Sequence, residues 1–138
     1  MKITVSDYFR AYENHPEITP ELTEAAAGLL EKVDALLQRA EDDGVVLWIN
    51  PSTRTYVSGQ QNGGWRPADC PVGAANSKHK KAHAVDVYDP ENELDQWCVR
   101  NTKVLEELGL YLEAGTATPR WCHIQDQPPG SGRRFFNP

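Results

Sequence analysis

Two histidines and one aspartate of this sequence could together bind a metal ion. His79 ends a long polar stretch, Asp86 lies inside the apolar run Ala84–Tyr88, and His123 lies inside a second apolar run, 120–124. A carboxylate buried among apolar side chains costs several kcal/mol unless a counter-charge compensates it, and a metal ion supplies that charge. Zinc binds nitrogen and oxygen ligands tetrahedrally, and a catalytic zinc takes three of them from protein. These residue types therefore predict a Zn²⁺ site.

Strand alternation separates the predicted ligands from their sequence neighbours. On the second run, His123 and Gln125 share one face, whereas Cys122 faces the other and is expected in the core. On the first run, His83 has the parity opposite to that of Asp86. We therefore expect His83 to be exposed or to support the site without binding the metal.

The three cysteines do not form a disulfide framework. Cys70, Cys98 and Cys122 are an odd number, widely spaced and without a Cys-x-x-Cys pair, which favours reduced and mostly buried thiols. Cys70 precedes His79 in the same polar stretch, so a place near the metal stays open for it.

Two helices are predicted to support the site. In the first, Thr19 is the expected N-cap and Pro20 the first helical residue; apolar residues then recur at three- and four-residue spacing until Gly44 ends the helix. A second helix is expected over 91–108, followed by Gly109. A shorter helix over 6–13, capped by Ser6, precedes both.

Strands and loops complete the prediction. Strands are expected at 45–49, 53–58, Ala84–Tyr88, 110–113 and 120–124. The segment 59–81 is a long loop, which is uncommon in a compact domain and often functional. The tail 127–138 is expected to wrap the surface. We predict one α+β domain over 1–138, with a small, mostly antiparallel sheet, helices on one face and a zinc groove on the other.

Charge and hydropathy exclude some partners. The 138 residues carry a formal net charge of -6, which argues against nucleic acid. No apolar stretch at the start is long enough for a signal peptide or a membrane span, so we expect synthesis in the cytoplasm and no membrane association. The oligomeric state is not specified by the sequence.

Three motifs in order carry a family resemblance. Residues 77–86 resemble the Ser-x-His-x-x-Gly-x-Ala-x-Asp signature of peptidase family M15, which includes D-Ala-D-Ala carboxypeptidases and phage L-alanyl-D-glutamate endopeptidases; hedgehog proteins share its fold. Residues 57–59 with 64–67 resemble the Ser-Gly-Tyr-Arg-Pro element, and 121–123 the Trp-x-His element. The resemblance extends from about residue 20 to residue 124.

The resemblance implies a function and a set of roles. His79, Asp86 and His123 would bind zinc, and Arg66 would face the substrate, where it could hold a peptide carboxylate or stabilise an oxyanion. The alternative for Arg66 is a loop residue paired with Asp69. The implied activity is zinc-dependent cleavage of peptidoglycan stem peptides at bonds that contain D-amino acids, of the phage type. The peptidoglycan peptide would be the partner.

Two departures from the family pattern matter. Ala82 replaces the motif glycine, so the backbone there lacks easy access to positive φ. Arg120 stands where the family usually has the carboxylate that deprotonates the attacking water. Glu113 and Asp126 are the candidate replacements. Asp126 is slightly preferred because it lies three residues from His123, although strand alternation points it away from the site unless the strand ends at residue 124. Glu113 would reach the site only if a hairpin folds its strand back beside His123.

Two other functions remain open at this stage. A non-catalytic zinc-binding domain, structural or part of a virion or its assembly, would keep the ligands and lack the base. Such a protein would lie in the host cytoplasm or in a phage virion. In a metal-free fold, His79 and Asp86 would simply pair with each other.

Overall fold

Four short strands form the sheet that carries the predicted ligands. The computed structural model describes residues 1–138. Its strands are β1 (Ala84–Tyr88), β2 (Tyr111–Glu113), β3 (Trp121–Gln125) and β4 (Phe135–Phe136), in the spatial order β1-β3-β2-β4. The β1/β3 and β2/β3 pairs are antiparallel and the β2/β4 pair is parallel. The predicted small, mostly antiparallel sheet is confirmed.

Four α-helices complete the α+β fold. They are α1 (Val5–Phe9), α2 (Pro20–Asp42), α3 (Glu93–Arg100) and α4 (Thr102–Leu108). None of them is both long and apolar enough to cross a bilayer.

The predicted caps of α2 are confirmed. The Thr19 hydroxyl accepts a hydrogen bond from the backbone N–H of Leu22 at 3.1 Å, and Pro20 is the first helical residue. After the helix, Gly44 adopts φ +94°, a left-handed conformation that glycine reaches without steric cost.

The apolar stripe of α2 packs into the core beneath the sheet. Its fully buried residues are Ala26, Leu29, Leu30, Val33, Leu36, Leu37 and Ala40. Val85 of β1 and Ile124 of β3 belong to the same core cluster. Alternation therefore leaves Asp86 and His123 on the opposite face of the sheet. α1 is tied to this layer by Tyr8, whose buried hydroxyl donates to the carbonyl oxygen of Ala84 at 2.8 Å.

The strands predicted at 45–49 and 53–58 are wrong. Val46, Trp48 and Ile49 are exposed, and this part of the chain forms only the isolated bridges Asn50↔Thr55 and Val57↔Val87. Residues 56–58 and Gly63 together occupy the outer edge of β1. Ser58 donates to the carbonyl oxygen of Asp86 at 2.8 Å, and Asp86 donates to the carbonyl oxygen of Gly63 at 2.7 Å. The apolar run 45–49 thus finds no sheet edge to pair with.

The predicted helix 91–108 is interrupted. The chain leaves the helical conformation at Asn101 (φ -121°, ψ 47°), between α3 and α4. The Asn101 side chain donates to the carbonyl oxygen of Trp97 at 2.8 Å, a local bond that competes with the continuing helix. Gly109 follows α4 as predicted, with φ +70°.

Two smaller predictions are also corrected. The first helix begins at Val5, because Thr4 and Asp7 form a reciprocal capping box, with both hydrogen bonds at 3.0 Å. Ser6 is therefore inside the helix and is not its cap. In the tail, Phe135–Phe136 pairs with β2 and extends the sheet.

Candidate metal centre

Strand register places three ionisable side chains in one row across the sheet. Asp86 of β1 is the direct cross-strand partner of His123 on β3. The β2/β3 register pairs Leu112 with Ile124, so the next residue of β2, Glu113, comes beside His123 on its other flank. An Oε2–Nδ1 distance of 3.7 Å between Glu113 and His123 follows from this arrangement. Residues on three strands thus meet without a shared local motif.

A short 3-10 helix, Lys78–Lys81, brings His79 to the same row. The Ser77 hydroxyl accepts from the backbone N–H of His79 at 3.3 Å at the start of this helix. Ala82 then reverses the chain into β1 with φ +61° and ψ +35°. This left-handed conformation costs a non-glycine residue about 1–2 kcal/mol. Ala82, which replaces the motif glycine, thus adopts the positive φ that glycine would reach at lower cost.

The distances among His79, Asp86 and His123 fit a metal ion. All three are buried, and their ligand atoms lie within 4.8 Å of one another. Oδ1 of Asp86 is 3.2 Å from Nε2 of His79 and 2.9 Å from Nδ1 of His123. Ligands at zinc–ligand distances of about 2.0–2.1 Å lie about 3.3 Å apart in a tetrahedron. This buried group could hold a metal ion.

Hydrogen bonding fixes which nitrogen of His79 faces the group. Nδ1 of His79 lies 2.8 Å from the carbonyl oxygen of Gly64, and a carbonyl only accepts, so Nδ1 carries a proton. Nε2 is buried and has no hydrogen-bond partner. In the neutral ring, Nε2 therefore offers a free lone pair toward Asp86. A histidine held by a backbone carbonyl in this way is typical of metal ligands.

Electrostatics keep Asp86 ionised despite its burial. Burial works to raise the pKa of Asp86, but the charge of His79, together with the hydrogen bond and charge of His123, outweighs it and holds the pKa below its ordinary value. Burial likewise works to lower the pKa of His123, but the Asp86 carboxylate outweighs it and raises that pKa. The two histidines and Asp86 thus form a tightly coupled charge cluster, in which an added cation would replace protons.

Arg66 is held against Asp86. Its Nη2 donates to Oδ2 of Asp86 at 3.3 Å, and its Nε donates to the carbonyl oxygen of Asn62 at 2.7 Å. Nη1 donates to the carbonyl oxygen of Val72 at 3.4 Å. The ion-pair partner of Arg66 is therefore Asp86, whereas Asp69 was the alternative expected from the sequence. This bond leaves Oδ1 of Asp86 to face the two histidines.

Of the two carboxylates considered as the base, Glu113 lies at the site and Asp126 does not. Oδ1 of Asp126 bonds Nδ1 of His83 at 2.8 Å, and Oδ2 lies 3.8 Å from Nζ of Lys32 on α2. The preference for Asp126 is thus corrected: β3 continues to Gln125, so alternation directs Asp126 away from His123. The expectation that His83 lies outside the ligand group is confirmed.

Glu113 has an environment suited to proton transfer. Its side chain is 16% exposed. Burial raises the pKa of Glu113, and the neighbouring His123 partly offsets this effect. A carboxylate whose pKa moves toward neutrality is a better general base or acid near pH 7.

The row of ionisable groups opens into a cleft of about 450 Å³. Trp121, Pro129 and Phe136 contribute apolar walls, and Lys78 lies at its border. The Phe136 ring meets the His123 ring edge-on, with a centroid separation of 6.1 Å. Cys70 lies elsewhere, with Sγ 3.8 Å from Oδ1 of Asn62.

Some supporting residues could not be read from sequence. Alternation indicates the face of Gln125 but not its 2.8 Å contact between Oε1 and Nε2 of His123. Gly64 acts through its backbone carbonyl; a side chain at this position would collide with the backbone of Tyr8, but the residue type does not indicate the contact with His79. Phe136 reaches the cleft because the tail pairs with β2, and no periodic pattern in 127–138 predicts that pairing.

Comparison with protein-family models, curated proteins and solved structures gives no match to this chain. The family resemblance therefore stays a prediction that depends on the three motifs.

Proposed function

We propose that this protein is a zinc-dependent peptidase that cleaves peptidoglycan stem peptides. The observation that carries the proposal is the position of Glu113 beside His123, at the edge of the His79–Asp86–His123 group and inside the cleft. Arg120 occupies the sequence position at which the resembled family has its base. Glu113 would supply that carboxylate from a neighbouring strand.

The donor set supports zinc as the metal. Two imidazole nitrogens and one carboxylate oxygen, with an open side toward a cleft, are the ligand pattern of catalytic zinc, whereas structural zinc is enclosed by four protein ligands. When bound, zinc polarises a substrate carbonyl and lowers the pKa of a water molecule. Arg66 supports this role by holding Oδ2 of Asp86, so that Oδ1 stays available.

The protein's own groups would then carry the proton. Glu113 takes a proton from the attacking water and returns it to the leaving amine as the peptide bond breaks. The side chain of Glu113 is mostly enclosed, which limits proton exchange with bulk water. Trp121 and Phe136 exclude water from the side of the cleft and give a peptide an apolar surface.

The peptidoglycan substrate, with its D-amino acids, is proposed on the resemblance alone. Arg66 was expected to hold a peptide carboxylate or to stabilise an oxyanion, but it already bonds Asp86 and two backbone carbonyls. Lys78 borders the same cleft and has only a 3.5 Å contact with Oε1 of Gln127. An anionic group of the substrate would therefore pair with Lys78.

The second candidate function is a non-catalytic zinc domain, structural or part of a virion. It is favoured by Arg120, which is exposed with φ +74° at the position of the family's base. It is also favoured by the engagement of Arg66 with Asp86. Both features would suit a site that has kept its ligands and no longer turns over substrate.

Zinc-loaded protein should release peptides from purified peptidoglycan and cleave peptides that end in D-Ala-D-Ala. Peptides of the same sequence made only of L-amino acids are the matched control. Products are identified by mass spectrometry. If the protein holds zinc but leaves every one of these substrates intact, the peptidase proposal is wrong and the non-catalytic zinc domain replaces it.

Zinc should also stabilise the fold, because its ligands come from β1, β3 and the 3-10 helix. A hundredfold excess of free zinc over the dissociation constant adds about 2.7 kcal/mol to the free energy of unfolding. Chelation should lower the melting temperature, and added zinc should restore it, whereas magnesium should have little effect. Identical melting with zinc and with chelator would contradict the site.

A further inference from the structure

Gln125 makes two hydrogen bonds that lock its amide in one orientation. It is the last residue of β3 and is 3% exposed. Its Nε2 donates to the backbone carbonyl oxygen of Gln127 at 2.8 Å, and its Oε1 lies 2.8 Å from Nε2 of His123. The carbonyl of Gln127 can only accept, so the amide nitrogen must face it. The amide oxygen must therefore face His123.

This orientation determines where His123 carries its proton. The amide oxygen of Gln125 only accepts, so Nε2 of His123 must be the donor in their contact. The other ring nitrogen, Nδ1, lies 2.9 Å from Oδ1 of Asp86 and 3.7 Å from Oε2 of Glu113. Both of these neighbours are acceptors when ionised. With Nε2 held as the donor to Gln125, Nδ1 is the ring nitrogen that faces the two carboxylates, and a second proton or a cation has to lie between them.

We propose that Gln125 is a positioning residue that fixes the tautomer of His123, so that Nδ1 is the nitrogen that binds the metal. This inference rests on the metal site proposed above. The two histidines would then bind the metal through different ring nitrogens. His79 would use Nε2, because its Nδ1 donates to the carbonyl oxygen of Gly64. His123 would use Nδ1, because its Nε2 donates to Oε1 of Gln125.

The neighbouring carboxylate explains why such a lock is needed. Without Gln125, the proton of neutral His123 would move to Nδ1, where Oδ1 of Asp86 accepts it. That tautomer places a proton where the metal should bind. Gln125 opposes it by offering an acceptor on the other side of the ring, and a supporting residue of this kind typically changes metal affinity by about 10–100-fold.

The test combines zinc affinity with nitrogen-15 NMR of the imidazole rings. Gln125→Leu removes the acceptor, Gln125→Glu restores an acceptor but not the amide donor, and Gln127→Leu is the matched control because the backbone carbonyl of Gln127 remains. Gln125→Leu should lower zinc affinity by about 10–100-fold. Gln125→Glu should recover most of that loss, and Gln127→Leu should bind zinc like the wild type.

The NMR measurement tests the tautomer in zinc-loaded protein, where the bound cation takes the place of a proton between Nδ1 of His123 and Asp86. In the wild type, Nε2 of His123 should carry a proton and Nδ1 should carry none. A wild-type proton on Nδ1, or wild-type zinc affinity in Gln125→Leu, overturns the proposal. The wild-type spectrum decides the tautomer even if Gln125→Leu does not fold.

The two proposals can fail separately. If wild-type protein binds no zinc, the metal site is wrong and Gln125 has no role in metal binding. If zinc binds and the Gln125 variants match the wild type in affinity and tautomer, only the role of Gln125 is wrong.

Discussion

Asp86→Asn should abolish tight zinc binding while preserving the fold. Oδ1 of Asp86 faces both histidines, and its charge is what the buried group offers a cation. Asparagine keeps the shape and an oxygen that can accept from Arg66, but it removes that charge. His79→Ala and His123→Ala should have the same effect, because each leaves only two of the three ligands. Zinc content after dialysis, with circular dichroism to verify folding, measures the result.

His83→Ala is the matched control for these ligand variants. His83 is also a histidine next to β1, but its Nδ1 bonds Asp126 at 2.8 Å, away from the ligand group. The variant should lose stability, since the mostly buried carboxylate of Asp126 would keep only a 3.8 Å contact with Lys32. It should nevertheless bind one zinc per chain. Equal loss of zinc in His83→Ala and His79→Ala would contradict the proposed ligands.

Glu113→Gln should lower kcat by about 100- to 10,000-fold, the usual contribution of a general base. Glutamine keeps the volume of the side chain beside His123 but cannot accept the proton of the attacking water. Zinc content should stay at the wild-type value, because Glu113 is not one of the three ligands. The measurement is the rate of peptide release from peptidoglycan by zinc-loaded protein.

Asp126→Asn separates this role from a general loss of negative charge. Asp126 is the other carboxylate close in sequence to His123, yet it bonds His83 and lies near Lys32. Its variant should keep the wild-type rate at temperatures well below its melting point. A large loss in Asp126→Asn with Glu113→Gln unaffected would reverse the assignment. Loss of zinc together with activity in Glu113→Gln would make Glu113 a ligand.

The grouping of His79, Asp86 and His123 could be predicted because its signal is local. His79 and Asp86 lie in one motif, and parity within short strands places Asp86 and His123 on one face. The boundaries of α2 could also be predicted, since Thr19, Pro20 and Gly44 affect the backbone conformation next to them. In each case, the physical cause lies within a few residues of the feature.

The position of Glu113 beside His123 and the absence of strands at 45–49 and 53–58 could not be predicted, because they depend on distant pairings. Glu113 reaches His123 only through the β2/β3 register, and nothing near Glu113 specifies that partner. The apolar run 45–49 has strand-like composition, but residues 56–58 and Gly63 occupy the outer edge of β1. Asp126 was favoured because it lies close to His123 in sequence. β3 extends to Gln125, one residue beyond the predicted end, so strand alternation points Asp126 to the face opposite His123.

The placement of the ligands on different strands has a kinetic consequence. Asp86 and His123 meet only after β1 and β3 pair, and α3, α4 and β2 lie between these strands in sequence. Such non-local pairing is slow to form, and the unfolded chain offers no ready-made site. If the transition state for folding precedes this pairing, zinc acts mainly on the unfolding rate. The metal would then lengthen the lifetime of the folded protein while hardly changing how fast it folds.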